Sequence, residues 1–144
     1  MNQYGYSGTP LAKKLGIKEG FKIRLINQPT HYFELFTDMP ENVKILIDKK
    51  TTKDLIHYFT KEINELEKDI LLLKNEVYPN GTIWISWPKK AAKIKTNVTE
   101  DLIRSIALGN GLVDVKVCAV DEIWSGLKLV IPVKDRNASG NYVY

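Results

Sequence analysis

The chain of 144 residues has a single cysteine, Cys118. One thiol excludes an internal disulfide, so the fold has to close on its own apolar core, and a reducing compartment, the cytoplasm, is expected. Histidine is nearly as scarce. His31 and His57 stand far apart, no Cys-x-x-Cys pair accompanies them, and a zinc centre is not expected. No stretch approaches the ~18 consecutive apolar residues of a membrane helix, and the start of the chain has no apolar run of signal-peptide length, so a soluble protein without membrane association is expected. None of the nine glycines falls in Gly-x-Gly-x-x-Gly or Gly-x-x-x-x-Gly-Lys order, which excludes those phosphate-cradling loops. Ser125-Gly126 lacks the preceding glycine of a nucleophile elbow. A large charge excess is missing too. Lys and Arg number 21 against 17 Asp and Glu, a net +4 spread along the chain, which does not call for nucleic acid.

A hydrophobic content of 44% is enough for one packed domain over residues 1–144, with 1–8 and 135–144 expected to be flexible ends. Thr9-Pro10-Leu11-Ala12-Lys13-Lys14-Leu15-Gly16 is a complete short helix: a cap, a proline at the first helical position, Leu11 and Leu15 on one face, and a glycine stop. Phe21–Ile26 reads as a buried strand ending in the turn Asn27-Gln28-Pro29, and His31–Thr37 as a short helix. Val43–Ile47 and Leu55–Phe59 are further apolar runs. The stretch between them is too short for a helical crossover, so they are either antiparallel or joined by a bare extended return. Over Thr60–Val77, Ile63, Leu66, Ile70, Leu73 and Val77 step by three and four and draw one apolar stripe, with Thr60 as cap. Pro79-Asn80-Gly81 ends that helix, and Thr82–Trp87 is the next strand. Thr99 caps a helix to Leu108 with Glu100 and Asp101 in its first turn. Val113–Val120 alternates, with Val113, Val115, Val117 and Ala119 on one face and Asp114, Lys116 and Cys118 on the other. Leu127–Val133 follows after a link short enough to require antiparallel pairing. The tail from Lys134 is polar and expected to fray.

Helices alternating with apolar strands give an α/β fold, a three-layer sheet that is mostly parallel with an antiparallel C-terminal edge pair. Ligands of such sheets bind beyond the carboxyl ends of the strands. Two dense polar stretches fall there, Trp84–Lys90 and Val113–Lys128, and between them they hold all three tryptophans. If strands 82–87 and 113–120 are parallel neighbours, Trp87, Lys89 and Lys90 come beside Asp121, Glu122, Trp124 and Ser125. Cations and carboxylates with aromatic walls suit a small anionic ligand or a protein partner; the same residues would also serve as ion pairs fastening two loops. Lys89, Lys90, Lys93 and Lys95 form a solvated loop without the interleaved aromatics of a nucleic-acid surface. Cys118 reads as a packing thiol, with Lys116 on its face as the one feature that would activate it. Neither histidine has a sequence-local carboxylate or nucleophile partner.

Residues Ser7–Gly16, Trp87-Pro88-Lys89 and Val113–Lys128 together resemble an uncharacterised bacterial family, a domain of unknown function, over residues 7 to about 133. That resemblance implies a small stand-alone bacterial domain and no particular chemistry. The order of elements is also similar to a shortened class I methyltransferase, a Rossmann-like fold. Such enzymes carry a Gly-x-Gly loop after the first strand, where this chain has Asn27-Gln28-Pro29. They close the second strand with an acid that holds ribose hydroxyls, a place Asp48 takes. The expectation is therefore a binding or interaction domain, not an enzyme, without a resident cofactor or metal, monomeric or homodimeric. A methyltransferase-like nucleotide-binding enzyme, or a degenerate relative, with Asn27 and Asp48 near the nucleotide, is the alternative. Nucleic-acid binding through the lysine loop is the weaker one.

Overall fold

The computed structural model describes residues 8–140, with side chains to Arg136; the expected loose ends at 1–7 and 141–144 lie outside the described residues. In chain order the elements are α1 (Leu11–Leu15), β1 (Lys22–Ile26), a 3-10 turn (Tyr32–Leu35), β2 (Lys44–Ile45), β3 (Lys53–Phe59), α2 (Ile63–Glu76), β4 (Val77–Pro88), α3 (Glu100–Gly109), β5 (Val113–Ala119), β6 (Trp124–Val130) and α4 (Val133–Gly140). One six-stranded sheet runs in the order β2-β1-β3-β4-β6-β5. β2, β1, β3 and β4 are parallel, and β6 is antiparallel to both its neighbours. This is the mixed, mostly parallel Rossmann-like sheet with an antiparallel edge that the apolar runs imply.

Alternation along the strands divides the core into two layers. Ile56, Tyr58, Ile83, Ile85 and Leu127 face α2 and α3, meeting Leu66, Ile70, Leu73, Ile103 and Ala107. Ile23, Leu55, Phe59 and Trp84 face the other way, against Leu11, Ala12 and Leu15 of α1 and Tyr32 of the 3-10 turn. Trp84 is fully buried, and its indole N–H donates to the Leu15 carbonyl at 2.9 Å. Of the three tryptophans in the polar stretches, this one is a structural bolt between β4 and α1. Gly126 is what makes room for its ring, since a Cβ there would stand 3.1 Å from it.

Several boundaries differ from the sequence expectation; the last strand, for one, is Trp124–Val130 and not Leu127–Val133. α2 begins at Ile63, and its first N–H is met by Asn97 Oδ1 at 2.7 Å. The Thr60 hydroxyl instead accepts from Glu62 N and donates to the Glu65 carboxylate at 2.7 Å. β4 begins at Val77 directly after α2, and Pro79-Asn80-Gly81 lies within it. Gly81 is required there because a Cβ would meet the Asp54 and Tyr78 carbonyls within 3.1 Å. The tail from Lys134, expected to be loose, opens with α4, and Arg136 Nε donates to the Ile131 carbonyl. On β5 the alternation holds only in part. Val115 and Val117 are half exposed, and β5 is an edge strand. A register shift between Asp114 and Lys116 lets Asp114 take Arg104 of α3 at 2.9 Å.

β2 and β3 are both parallel to β1 and lie on opposite sides of it, so residues 46–52 cross β1 without a helix. Of the two alternatives the sequence left open, this is the bare return. Lys53 closes it. Its side chain is wholly buried, and its ammonium donates to the Asp48 carbonyl (2.7 Å), the Thr51 carbonyl (2.6 Å) and Glu76 Oε2 (3.0 Å). Arg24 of β1 adds a two-pronged bond to the same carboxylate at 2.7 and 2.9 Å. Replacing Glu76 with Ala leaves both cations without their counter-charge, an ammonium in the core above all. The expected loss is about 3–5 kcal/mol in urea unfolding. Glu67→Ala on the exposed face of the same helix should stay within about 0.5 kcal/mol. Equal effects would remove the network from its place in the fold.

On the α1 side His57 is enclosed completely. The Tyr32 hydroxyl meets Nδ1 at 2.9 Å and Ser86 Oγ meets Nε2 at 2.7 Å. Burial holds the Tyr32 phenol protonated and pushes the imidazole pKa down to about 3. Tyr32 therefore donates to Nδ1, and the Nε2 proton goes to Ser86. The unfolded chain takes up a proton at this histidine near pH 6.5 and the folded chain does not. Stability is then lost as pH falls below about 6.5, by roughly tenfold in the folding equilibrium per pH unit, until about pH 3. His57→Gln should flatten that slope in chemical unfolding at pH 7, 6 and 5; an unchanged slope would show that the imidazole is not held neutral.

Candidate functional site

From the carboxyl end of β1 the chain departs towards β2, and from that of β3 it departs through α2 to β4, on the opposite side. Adjacent strands whose connections leave in opposite directions create a crevice at their carboxyl ends. A cleft of about 690 Å³ lies there, lined by Asn27 and Pro29 after β1, by Phe59, Thr60, Lys61, Glu62 and Glu65 at the end of β3 and the start of α2, and by Lys95 and Trp124 from further along the chain. Asn27 sits in the left-handed region at φ 57°, a conformation that asparagine tolerates and glycine normally supplies. Its side-chain amide donates to the Phe59 carbonyl at 3.2 Å and joins the two strand ends. Phe59 and Trp124 meet edge to face at 5.1 Å. The cleft therefore offers aromatic wall, two carboxylates and two lysines.

The two polar stretches singled out in the sequence do come together, by a different pairing from the one supposed. β5 is parallel to β4 but is not its neighbour. β6 lies between them, with Trp87 opposite Ser125 and Pro88 opposite Trp124. Lys89 N–H then donates to the Ile123 carbonyl at 2.8 Å. The four-residue turn Val120–Ile123 after β5 thus lands beside the end of β4. The named residues do not share one pocket. Trp87, Lys89 and Lys90 line a second cleft of about 640 Å³ with Pro88, Ile94 and Thr99, whereas Trp124 lines the first. Glu122 is exposed and Ser125 half-buried.

Asp121 is buried and organises its own loop. Its Oδ1 accepts from the N–H groups of Ile123 (2.8 Å) and Trp124 (2.7 Å), and its Oδ2 lies 3.1 Å from His31 Nε2. His31 therefore has a carboxylate partner 90 positions away, which local sequence could not supply. Asp48 is exposed. Its carboxylate accepts from Thr51 N at 2.6 Å, which lowers its pKa, and its carbonyl lies at Lys53, the first residue of β3. It does not line the cleft at the far end of that strand. Cys118 is half-buried, and burial raises its thiol pKa against the opposing influence of Lys14 and Lys116, in keeping with a packing thiol. Among the described residues no group of His, Cys, Asp and Glu has the arrangement of a metal site, and no helix is long and apolar enough to cross a membrane. The residues that follow β3 were missed because Thr60-Lys61-Glu62 reads locally as an ordinary helix start.

No family model matches the sequence, and no curated protein matches it. Solved structures do. The fold is similar to a protein of Sulfolobus solfataricus assigned to the type 11 methyltransferases, at TM-score 0.57 and 15% identity over 85% of this chain and 90% of that one. It is also similar to a SAM-dependent methyltransferase from Aquifex aeolicus, at TM-score 0.53 and 16% identity over 83% and 87%. The chain spans 53% of the magnesium protoporphyrin IX methyltransferase from Synechocystis PCC 6803, at 14% identity over 65% of its own length and TM-score 0.49. At these identities the likeness is one of fold.

Truncating Asp121 to Ala would strand two main-chain donors and His31. The expected cost is about 2–3 kcal/mol, with His31→Ala, on the half-exposed partner, below about 1 kcal/mol. Chemical unfolding of both variants measures this; an Asp121→Ala protein as stable as the parent would mean that the carboxylate does not hold the loop.

Proposed function

We propose that this chain is a methyltransferase-type binding domain that takes an adenosine-bearing methyl donor, S-adenosylmethionine, into the cleft between the carboxyl ends of β1 and β3. The position of that cleft carries the reading: it stands at the switch point of a sheet with the architecture of SAM-dependent methyltransferases, where open α/β sheets bind their ligands. The donor set fits the group. Pro29 and the edge of Trp124 would flank the flat base, Glu62 and Glu65 would accept from ribose hydroxyls, and Lys61 and Lys95 would meet the carboxylate of the amino-acid end. Glu65 is already oriented by the Thr60 hydroxyl. Asn27 supplies the positive φ that the missing Gly-x-Gly loop would give and keeps the turn after β1 tight. When bound, the group supplies a transferable methyl on a sulfonium centre.

A second reading keeps the chain a non-catalytic binder of a small anionic ligand. The observation in its favour is that Trp87, Lys89 and Lys90 line one concavity with Pro88. The two readings use different tryptophans, so one experiment separates them. Calorimetric titration with S-adenosylmethionine and S-adenosylhomocysteine should show saturable binding. At a hundred times Kd the ligand should stabilise the fold by about 2.7 kcal/mol. Trp124→Ala should weaken that binding about tenfold, and Trp87→Ala should leave it alone. No heat and no shift of Tm at millimolar ligand would defeat the first reading. Binding of small phosphorylated or carboxylated compounds that Lys90→Ala abolishes and Trp124→Ala spares would establish the second.

A further inference from the structure

Lys116 and Lys128 are direct partners across the β5–β6 pair, on the face of the sheet that carries α1. Like charges placed directly opposite on a sheet destabilise it. Two further lysines join them. Lys14 of α1 reaches over β5 and donates to the Ala119 carbonyl at 2.6 Å. Lys18 stands near enough to Lys128 to act on it: burial first, then Lys116 and Lys18, hold the Lys128 ammonium below the ordinary lysine range. Burial likewise lowers Lys14, with Lys89 and Lys116 adding to it and Cys118 opposing. Among the described residues no carboxylate lies within ion-pair reach of Lys18, Lys116 or Lys128. Lys18 and Lys116 are exposed and Lys128 half-buried. A fold selected for stability alone would set an acid across from Lys116, as Asp114 is set against Arg104 two positions earlier.

We propose that the open face of the β5–β6 hairpin, with Lys14, Lys18, Lys116 and Lys128, docks the phosphate backbone of a nucleic acid. Charge complementarity sets the chemistry of the partner. The arrangement sets its size, because these lysines come from α1, the segment after it and two strands, and spread over a surface instead of converging in an enclosing pocket. A small phosphate would touch one or two of them, whereas a polyanion meets them all. All four groups are ammonium ions, which meet phosphate charge and not base edges, so the contact is to the backbone and independent of base sequence. This surface is not the Lys89–Lys95 loop that the sequence brought forward. It is assembled from residues more than a hundred positions apart.

The test is fluorescence anisotropy of the full chain with a labelled duplex of about 20 base pairs, across roughly 50–200 mM salt. The expected log–log slope of affinity on salt is about −3 to −4, from four lysines at about 0.9 each. Lys116→Glu should weaken binding at least fivefold and flatten the slope by about one or more. The same substitution should raise the unfolding midpoint, because an acid then faces Lys128. A variant that is more stable and binds less cannot owe its loss to misfolding. Lys68→Glu on α2, with the same change of net charge, should alter affinity less than about twofold. Absence of binding at the lowest salt would overturn the proposal, and so would equal losses from Lys68→Glu and Lys116→Glu. It would also fall if vesicles with about a quarter phosphatidylserine bound the protein more tightly than the duplex and lost it through Lys116→Glu.

Discussion

The amino-terminal half of the sheet depends on one ammonium group. Lys53 is wholly buried, and each of its three protons has an acceptor: two carbonyls of the preceding link and the Glu76 carboxylate. A parallel strand on the far side of β1 ordinarily needs a long crossover, usually a helix. Here the chain makes the passage in residues 46–52, and the turn they form is closed by the first side chain of the strand it leads into. A turn closed in this way has its polar main chain satisfied from within, so it needs no covering helix. The consequence is visible on the surface. Ile47 is almost fully exposed, and beside α2 a cavity of about 340 Å³ opens between Arg24, Lys49 and Leu72.

The same economy fixes where the molecule can hold a ligand. Because β2 follows β1 on one side and β4 follows β3 on the other, the carboxyl ends of β1 and β3 are left without a connection passing over them. Asn27 draws these two ends together through the Phe59 carbonyl. On the opposite flank the β5–β6 turn leans in, held by Asp121, and supplies Trp124. Both anchors are short polar side chains satisfied by main-chain groups, so the crevice is braced at its floor and on one wall. A braced crevice loses little conformational freedom on binding, which favours affinity without added contacts.

How much of this was legible in the chain follows from the range of the interactions. The apolar stripe of α2, the capped and glycine-stopped α1 and the class of the sheet rest on local periodicity and were readable. Lys53 was not, because a lysine before an apolar run reads as the solvated start of a strand, and the register shift between Lys53 and Leu55 has no local trace. Trp84 looked like part of a site because it neighbours Trp87. Alternation along β4 sends the two rings to opposite faces, one under α1 and one towards α3. Val115 and Val117 have the spacing of core residues, but they lie on the edge strand and stay half exposed. The pairing of His31 with Asp121 spans the chain and has no local trace.

The two proposals converge on one hairpin. Trp124, at the rim of the switch-point cleft, opens β6, and Lys128 lies four residues further along the same strand, about 13 Å away at the rise of an extended chain. That is the span of a few phosphates. A backbone docked on Lys116 and Lys128 would therefore pass close to the cleft, and its position along the strand would be set by Lys14, whose ammonium is pinned at the Ala119 carbonyl on the rim side. Such an arrangement gives a physical reason for the repulsion between Lys116 and Lys128 to persist. In the free protein it costs stability, and in the complex each lysine has a phosphate to face, so the strain is relieved only by the partner.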